Sequence, residues 1–209
     1  MRTCISAAVV LAIGWSVSVT TSAQQVSGPD AVLVHPEGEV YVNDRVVAAD
    51  SAPVALLGPA RVRTSQGRAV IAFERSSLLF LDAGTSVRVN RTGATDPGRV
   101  EVLSGSALIA SVHGSPLVTC DSEVTLSDAG WFRFDVQRAD VDGTRPCSVR
   151  IFDGAAIVPL LTVSNHLRTG QTMMCDRRCG DMIATREFSR DQLDDFNRWA
   201  RRMQQEFGR

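Results

Sequence analysis

Lysine is absent from this 209-residue chain, and all 22 basic residues are arginine. The absence excludes Schiff-base chemistry, a Ser-Lys dyad and the phosphate-binding loop that ends in lysine. A dinucleotide-type glycine loop and a Gly-x-Ser-x-Gly elbow are missing as well. Histidine occurs only as His35, His113 and His166, scattered and without a catalytic motif. No excess of positive charge exists either. The formal net charge is −1, which argues against nucleic acid as a partner, because phosphate binding demands a basic surface. Long hydrophobic runs are scarce: residues 5–19 are mostly apolar, and 155–163, interrupted by Pro159, reads as a buried strand. A membrane span needs about 20 apolar residues, more than either run supplies.

The first 23 residues read as a secretory signal peptide. Arg2 is their only charge, an apolar run follows, and Thr21-Ser22-Ala23 offers the small side chains that a signal peptidase reads, so cleavage is expected after Ala23. Cys4 precedes the apolar run, unlike the cysteine of a lipoprotein signal. Residues 24–30 form a short linker. The mature protein is expected to be periplasmic or secreted and not to span a membrane, with enough length left for one domain with a sizeable core.

From residue 31 the chain alternates short β-branched or aromatic runs with Gly, Ser and Asp turns. Residues 31–34, 39–42, 45–48, 61–64, 68–73, 78–81 and 86–89 all fit strands, and Asn43-Asp44 fits a two-residue hairpin turn. Residues 99–103 and 107–112 flank Ser104-Gly105 and suggest a further hairpin. Residues 131–136 and 148–153 alternate apolar with polar side chains, as half-buried antiparallel strands do. Residues 91–98 read as a loop. The fold expected over 31–186 is one all-β domain, a single antiparallel β-sandwich or a short solenoid-like variant of it.

Four cysteines follow the signal peptide: Cys120, Cys147, Cys175 and Cys179. An even count in an exported chain reads as disulfides, with three connectivities open. We favour Cys120 with Cys147 and Cys175 with Cys179, since the first pair brackets a strand and a loop and the second closes a small loop. The chain-entropy model assigns the longer closure about 3 kcal/mol. A zinc site using Cys175, Cys179 and either His166 or His113 is the competing reading, weakened by the lack of a second short-spaced pair. Neither a metal nor a cofactor is expected.

The last segment, 187–209, changes period. Ser189 with Gln192 resembles a capping box, and Phe188 with Leu193 has the spacing of a hydrophobic staple. Leu193, Phe196, Met203 and Phe207, with Trp199 beside them, recur at three- and four-residue steps, which predicts an amphipathic helix over about 190–207. Asp194 with Arg198, and Arg202 with Glu206, are spaced to pair across its outer face. Its stripe has two uses: packing on the β domain, or serving as an interaction surface for a partner.

The ordered set of segments resembles the FecR family of bacterial signalling domains. Arg63-Thr64-Ser65-Gln66-Gly67-Arg68-Ala69 is similar to the family's opening Arg-Thr-x-x-Gly-x-Ala, and residues 100–105 to its Val-x-x-Leu-x-x-Gly. Residues 132–136 resemble its Phe-x-Val strand, 149–158 its Val-x-Val-x-x-Gly-x-x-x-Val, and 167–171 its closing Leu-x-x-Gly-Gln. The family's usual Asp-Gly between the central strands is replaced by residues 74–77. The helical anti-sigma segment and membrane span of its signalling members are not read here, so direct control of a sigma factor is not carried over. The resemblance implies an exported, non-catalytic module that binds a protein or a cell-surface glycan, with a role in envelope signalling. The rival is an aspartic-protease-like hydrolase. Phe80-Leu81-Asp82-Ala83-Gly84-Thr85-Ser86 lies near the apolar-apolar-Asp-Thr-Gly pattern, but Ala83 replaces the bracing hydroxyl, and a homodimer would have to supply the second carboxylate.

Overall fold

A computed structural model of the protein describes residues 31–73, 77–90, 98–112, 117–120, 122–137, 146–159, 164–175 and 185–208. The expected signal peptide and linker, His113, Cys179 and most of the 91–98 loop lie outside these residues. Seventeen strands precede one helix among them. The first eight are β1 (Ala31–Glu37), β2 (Val40–Val42), β3 (Arg45–Val47), β4 (Val54–Ala55), β5 (Ala60–Thr64), β6 (Arg68–Phe73), β7 (Leu78–Leu81) and β8 (Ser86–Asn90). Then come β9 (Arg99–Ser111), β10 (Leu117–Cys120), β11 (Ser122–Leu126), β12 (Gly130–Val136) and β13 (Cys147–Asp153). β14 (Ala155–Pro159), β15 (Ser164–Arg168), β16 (Gln171–Cys175), β17 (Thr185–Glu187) and helix α1 (Asp195–Phe207) complete the order.

Two layers result. The first sheet runs β4-β1-β6-β7-β9-β12-β13-β16-β17. The second runs β3-β2-β5-β8-β9-β10-β11-β14-β15. Beyond the first strands the order in each sheet follows the chain, so the polypeptide advances along one axis while alternating between layers. Inward positions are apolar by strand alternation. Leu33, Val62, Ile71, Leu79, Val87, Ile109, Phe132, Phe134, Val149 and Ile151 are all fully buried between the sheets. Asn43 and Asp44 both take positive φ, as a type I′ hairpin turn requires.

The expected hairpin at Ser104-Gly105 is not there. β9 is a single strand of 13 residues that belongs to both sheets. Its first half pairs with β8 and β10, its second with β7 and β12. The change of layer occurs where the register shifts opposite Ser86/Val87 and where Gly105 takes φ +86. A Cβ on Gly105 would lie 2.6 Å from Thr85 Cα. Thr85, fully buried, accepts from Ser106 N–H and donates to Ser106 C=O, both at 3.0 Å. Thr64 braces Thr85 in turn: its hydroxyl accepts from Thr85 N–H at 3.0 Å and donates to Asp82 C=O at 2.5 Å. The polar groups that a layer crossing strands in the interior are thereby satisfied. In sequence, apolar runs flanking a glycine look the same whether the chain reverses there or bends.

One further difference follows, and one expectation is met. The pairing of β9 with β10 is parallel, because β10 enters beside the start of β9 after β9 has ended in the other layer. Cys120, closing β10, and Cys147, opening β13, are joined by a disulfide with Cα atoms 5.9 Å apart. The bond ties the second sheet to the first. The backbone of Cys175 faces Cys147 in the β13–β16 ladder, and the proposed Cys175–Cys179 pair extends outside the described residues.

Gly105→Ala should destabilise the protein by more than about 1 kcal/mol, since it combines positive φ with a steric clash. The urea midpoint at unchanged slope measures it; an unaltered midpoint would mean that the crossing is not strained by a side chain.

Candidate binding site

The outer face of the first sheet divides into an apolar half and a polar half. Val70, Leu78, Phe80, Leu108 and Ala110 form the apolar half, with Trp131 partly buried at its margin. α1 lies across it. Phe196, Trp199 and Ala200 are buried there, and Met203 and Phe207 are half-buried against the same cluster. Leu193, before the helix, is half-buried. The helical stripe read from the sequence therefore faces its own domain.

Aromatic geometry and polar ties fix the helix along its length. Phe80 stacks on Trp131 at 5.9 Å and meets Trp199 edge-on at 6.1 Å. Trp199 Nε1 donates to Glu37 Oε2 of β1 at 2.8 Å, and Phe207 meets His35 of the same strand at 5.5 Å. At the other end Arg133 Nη1 of β12 donates to Asp194 Oδ2 at 2.5 Å. The helix thus crosses from β12 to β1. Thirteen residues at about 1.5 Å each match four interstrand gaps of about 4.8 Å, so it runs athwart the strands.

The helix starts later than expected. Asp194 is its N-cap, accepting from Asn197 N–H at 2.9 Å, and the Ser189–Gln192 capping box is not the start signal. Asp194 also accepts from the Asn197 side chain at 2.8 Å. With its carboxylate committed to the cap and to Arg133, Arg198 pairs with Asp195 rather than with Asp194. Phe188 packs edge-on against Phe152 of β13 at 5.0 Å. Burial works against the charged form of Asp194, but the Asn197 and Arg133 hydrogen bonds outweigh it and hold the pKa below the usual value. Burial likewise opposes the Arg133 charge, and Asp135 and Asp194 together raise its pKa on balance.

Arg133 links the helix to the polar half. Its Nε donates to Asp135 Oδ1 at 2.9 Å, which also accepts from Ser106 Oγ at 2.6 Å. Arg150 Nη2 of β13 lies 3.1 Å from Asp135 Oδ2, an ion pair without the alignment of a hydrogen bond. Beside this group opens a cleft of about 320 Å³, lined by Ser106, Asp135, Ser148 and Arg150 together with Val136, Pro146 and Met174. Met174 is 49% exposed, one of few large apolar side chains in that state among the described residues. Asp135, Ser106, Ser148 and Met174 share one cross-strand row. Strand alternation puts Arg133, Asp135 and Arg150 outward, yet nothing in the one-dimensional pattern brings four strands and their register together.

Asp82 sits on the turn after β7, with Arg68 Nε donating to its Oδ1 at 2.9 Å. Its immediate partner is a guanidinium, whereas an aspartic-protease dyad needs a second carboxylate. His166 is exposed on β15. Among the described residues no group of three or more His, Cys, Asp or Glu side chains could hold a metal, and no helix is long and apolar enough to cross a membrane.

No family model matches the chain, and no curated protein matches it. Solved structures do. Two crystal structures, each of a candidate anti-sigma factor from Parabacteroides distasonis ATCC 8503, superpose with TM-scores of 0.52 and 0.50 at 16% sequence identity. The matches cover 63% and 69% of this chain and only 61% and 64% of those chains. This chain is therefore similar to them in fold over part of their length.

Phe196→Asp should lower the melting temperature of the isolated protein sharply, because a fully buried Phe contributes roughly 1.5–3 kcal/mol and the aspartate would be buried unpaired. A monomeric variant with an unchanged melting temperature would contradict the docking seen here. Acid should loosen the same contact. The stabilisation from Asp194 is complete above the unfolded value of about 3.9 and is lost as pH falls through its lower folded value. Trp131 and Trp199 both report on the interface, so their fluorescence should shift below about pH 4. Asp194→Asn should flatten that limb.

Proposed function

We propose that this chain is an exported, FecR-like, non-catalytic binding or scaffold module of the bacterial cell envelope, acting in envelope signalling from the periplasm or the cell exterior. Its partner is a protein or a cell-surface glycan, engaged at the polar half of the first sheet's outer face. The observation that carries the reading is the cleft itself. α1 covers the apolar half of the face, while Arg150 and Met174 remain accessible beside it. The fold likeness to two candidate anti-sigma factors supports a binding role at the level of architecture. A disulfide between the layers suits an oxidising compartment, which agrees with the signal peptide read from residues 1–23.

Capture from the native cell envelope with the mature protein, followed by mass spectrometry, tests the reading. Met174→Glu should remove the specific partner without altering the melting temperature, because Met174 is on the rim. Arg88→Gln, on the outer face of the second sheet where Arg88 pairs with Glu101, should leave capture intact. The opposite result would move the binding surface to the second sheet.

A further inference from the structure

We infer that the cleft receives an acidic segment of a partner polypeptide, with a carboxylate on Arg150 and a neighbouring apolar side chain against Met174 and Pro146. The inference rests on the binding-module reading above and specifies its ligand.

Charge complementarity selects the occupant. Asp135 has no capacity left for a ligand cation: Oδ1 already accepts from Ser106 and Arg133, and Oδ2 is enclosed and faces Arg150. Arg133 is itself buried between Asp135 and Asp194. The charge presented to solvent is therefore that of Arg150, whose side chain is 37% exposed. A guanidinium carries five N–H donors in a planar fork, and the Asp135 contact uses one nitrogen without hydrogen-bond alignment. The remaining donors suit a carboxylate, which accepts two parallel hydrogen bonds from such a fork. Ser148, next to Asp135 in the row, adds a hydroxyl to the lining.

A second cation extends the site toward the sheet edge. Arg150 is opposite Thr172, and Thr172 is opposite Arg186, so both arginines share one cross-strand row on one face. Arg186 is exposed on β17, without an ion-pair partner among the described residues. Two strand spacings separate them by about 10 Å, the reach of two carboxylates three residues apart in a polyproline II chain, whose three-residue turn puts both on one side. Met174, one same-face row along from them, has the unbranched, polarisable side chain that adapts to varied apolar groups. An acidic polypeptide meets both demands, charge and an apolar neighbour, whereas an acidic polysaccharide meets only the first.

Fluorescence anisotropy of the full mature protein with labelled hexapeptides tests this. One set carries Asp-Leu or Glu-Leu steps, with and without a second acid three residues away; the matched set carries Asn-Leu or Gln-Leu. Acidic peptides should bind about tenfold more tightly than their amide counterparts, the scale of one charge-assisted pair, with affinity falling as salt rises. Arg150→Gln should abolish the ratio, Arg186→Gln should reduce only the gain from the second acid, and Met174→Glu should repel acidic peptides while leaving folding unchanged. Equal binding of acid and amide sets, or an acid preference that survives Arg150→Gln, overturns the assignment. So does binding of oligogalacturonate in preference to any peptide. Loss of the peptide preference with envelope capture still sensitive to Met174→Glu overturns the ligand assignment alone; loss of both overturns the binding reading as well.

Discussion

Passage of β9 from one layer to the other is the constraint on which the rest of the molecule depends. A strand that changes sheets must bend without abandoning its backbone hydrogen bonds in a dry interior. Here the bend is met by a residue without a Cβ, Gly105, and by two buried hydroxyls, Thr85 and Thr64, that take up neighbouring N–H and C=O groups. Once β9 is shared, β7 and β12 are fixed on one side of it and β8 and β10 on the other. The disulfide then closes the structure from the far side, from the end of β10 to the start of β13.

The same crossing places the candidate site. Gly105 and Ser106 emerge at the start of β9's second half, where they form one wall of the cleft. Beyond them the outer face becomes apolar through Leu108 and Ala110, and there α1 sits. The helix and the cleft are neighbours joined by one buried guanidinium, Arg133, which satisfies Asp194 at the helix cap and Asp135 at the cleft. Its planar fork allows two carboxylates to be held at once, which a point-like ammonium does less well. Absence of lysine is of little consequence on this face, because its polar contacts are of the kind that arginine makes.

The segment at 63–69, read as a family-like motif, acquires physical content from these contacts. Thr64 braces Thr85, Gly67 allows the β1–β2 turn so close that a Cβ would meet Glu37 O at 2.0 Å, and Ala69 fills the core. Arg63 lies over the Tyr41 ring at 4.0 Å, and Arg68 joins Asp82 to the Trp199 ring. Asp82 is thus a turn residue with a structural partner.

By itself, the sequence determined the local elements: the alternation of strands, the Asn43-Asp44 turn, the amphipathic helix and the cysteines at strand ends. Each of these rests on a period, a turn residue or a chain position that neighbours in sequence suffice to define. Only the tertiary structure decided whether Gly105 reversed the chain or let it cross, whether Ser189 or Asp194 began the helix, and which face the stripe of Phe196 and Trp199 would meet. Those outcomes depend on partners far away in the chain. Arg133 stands 61 residues from Asp194, and Glu37 stands 162 from Trp199. The cleft is the extreme case: four strands in a given register bring Ser106, Asp135, Arg150 and Met174 together, and register is a property of pairing, which no single strand carries.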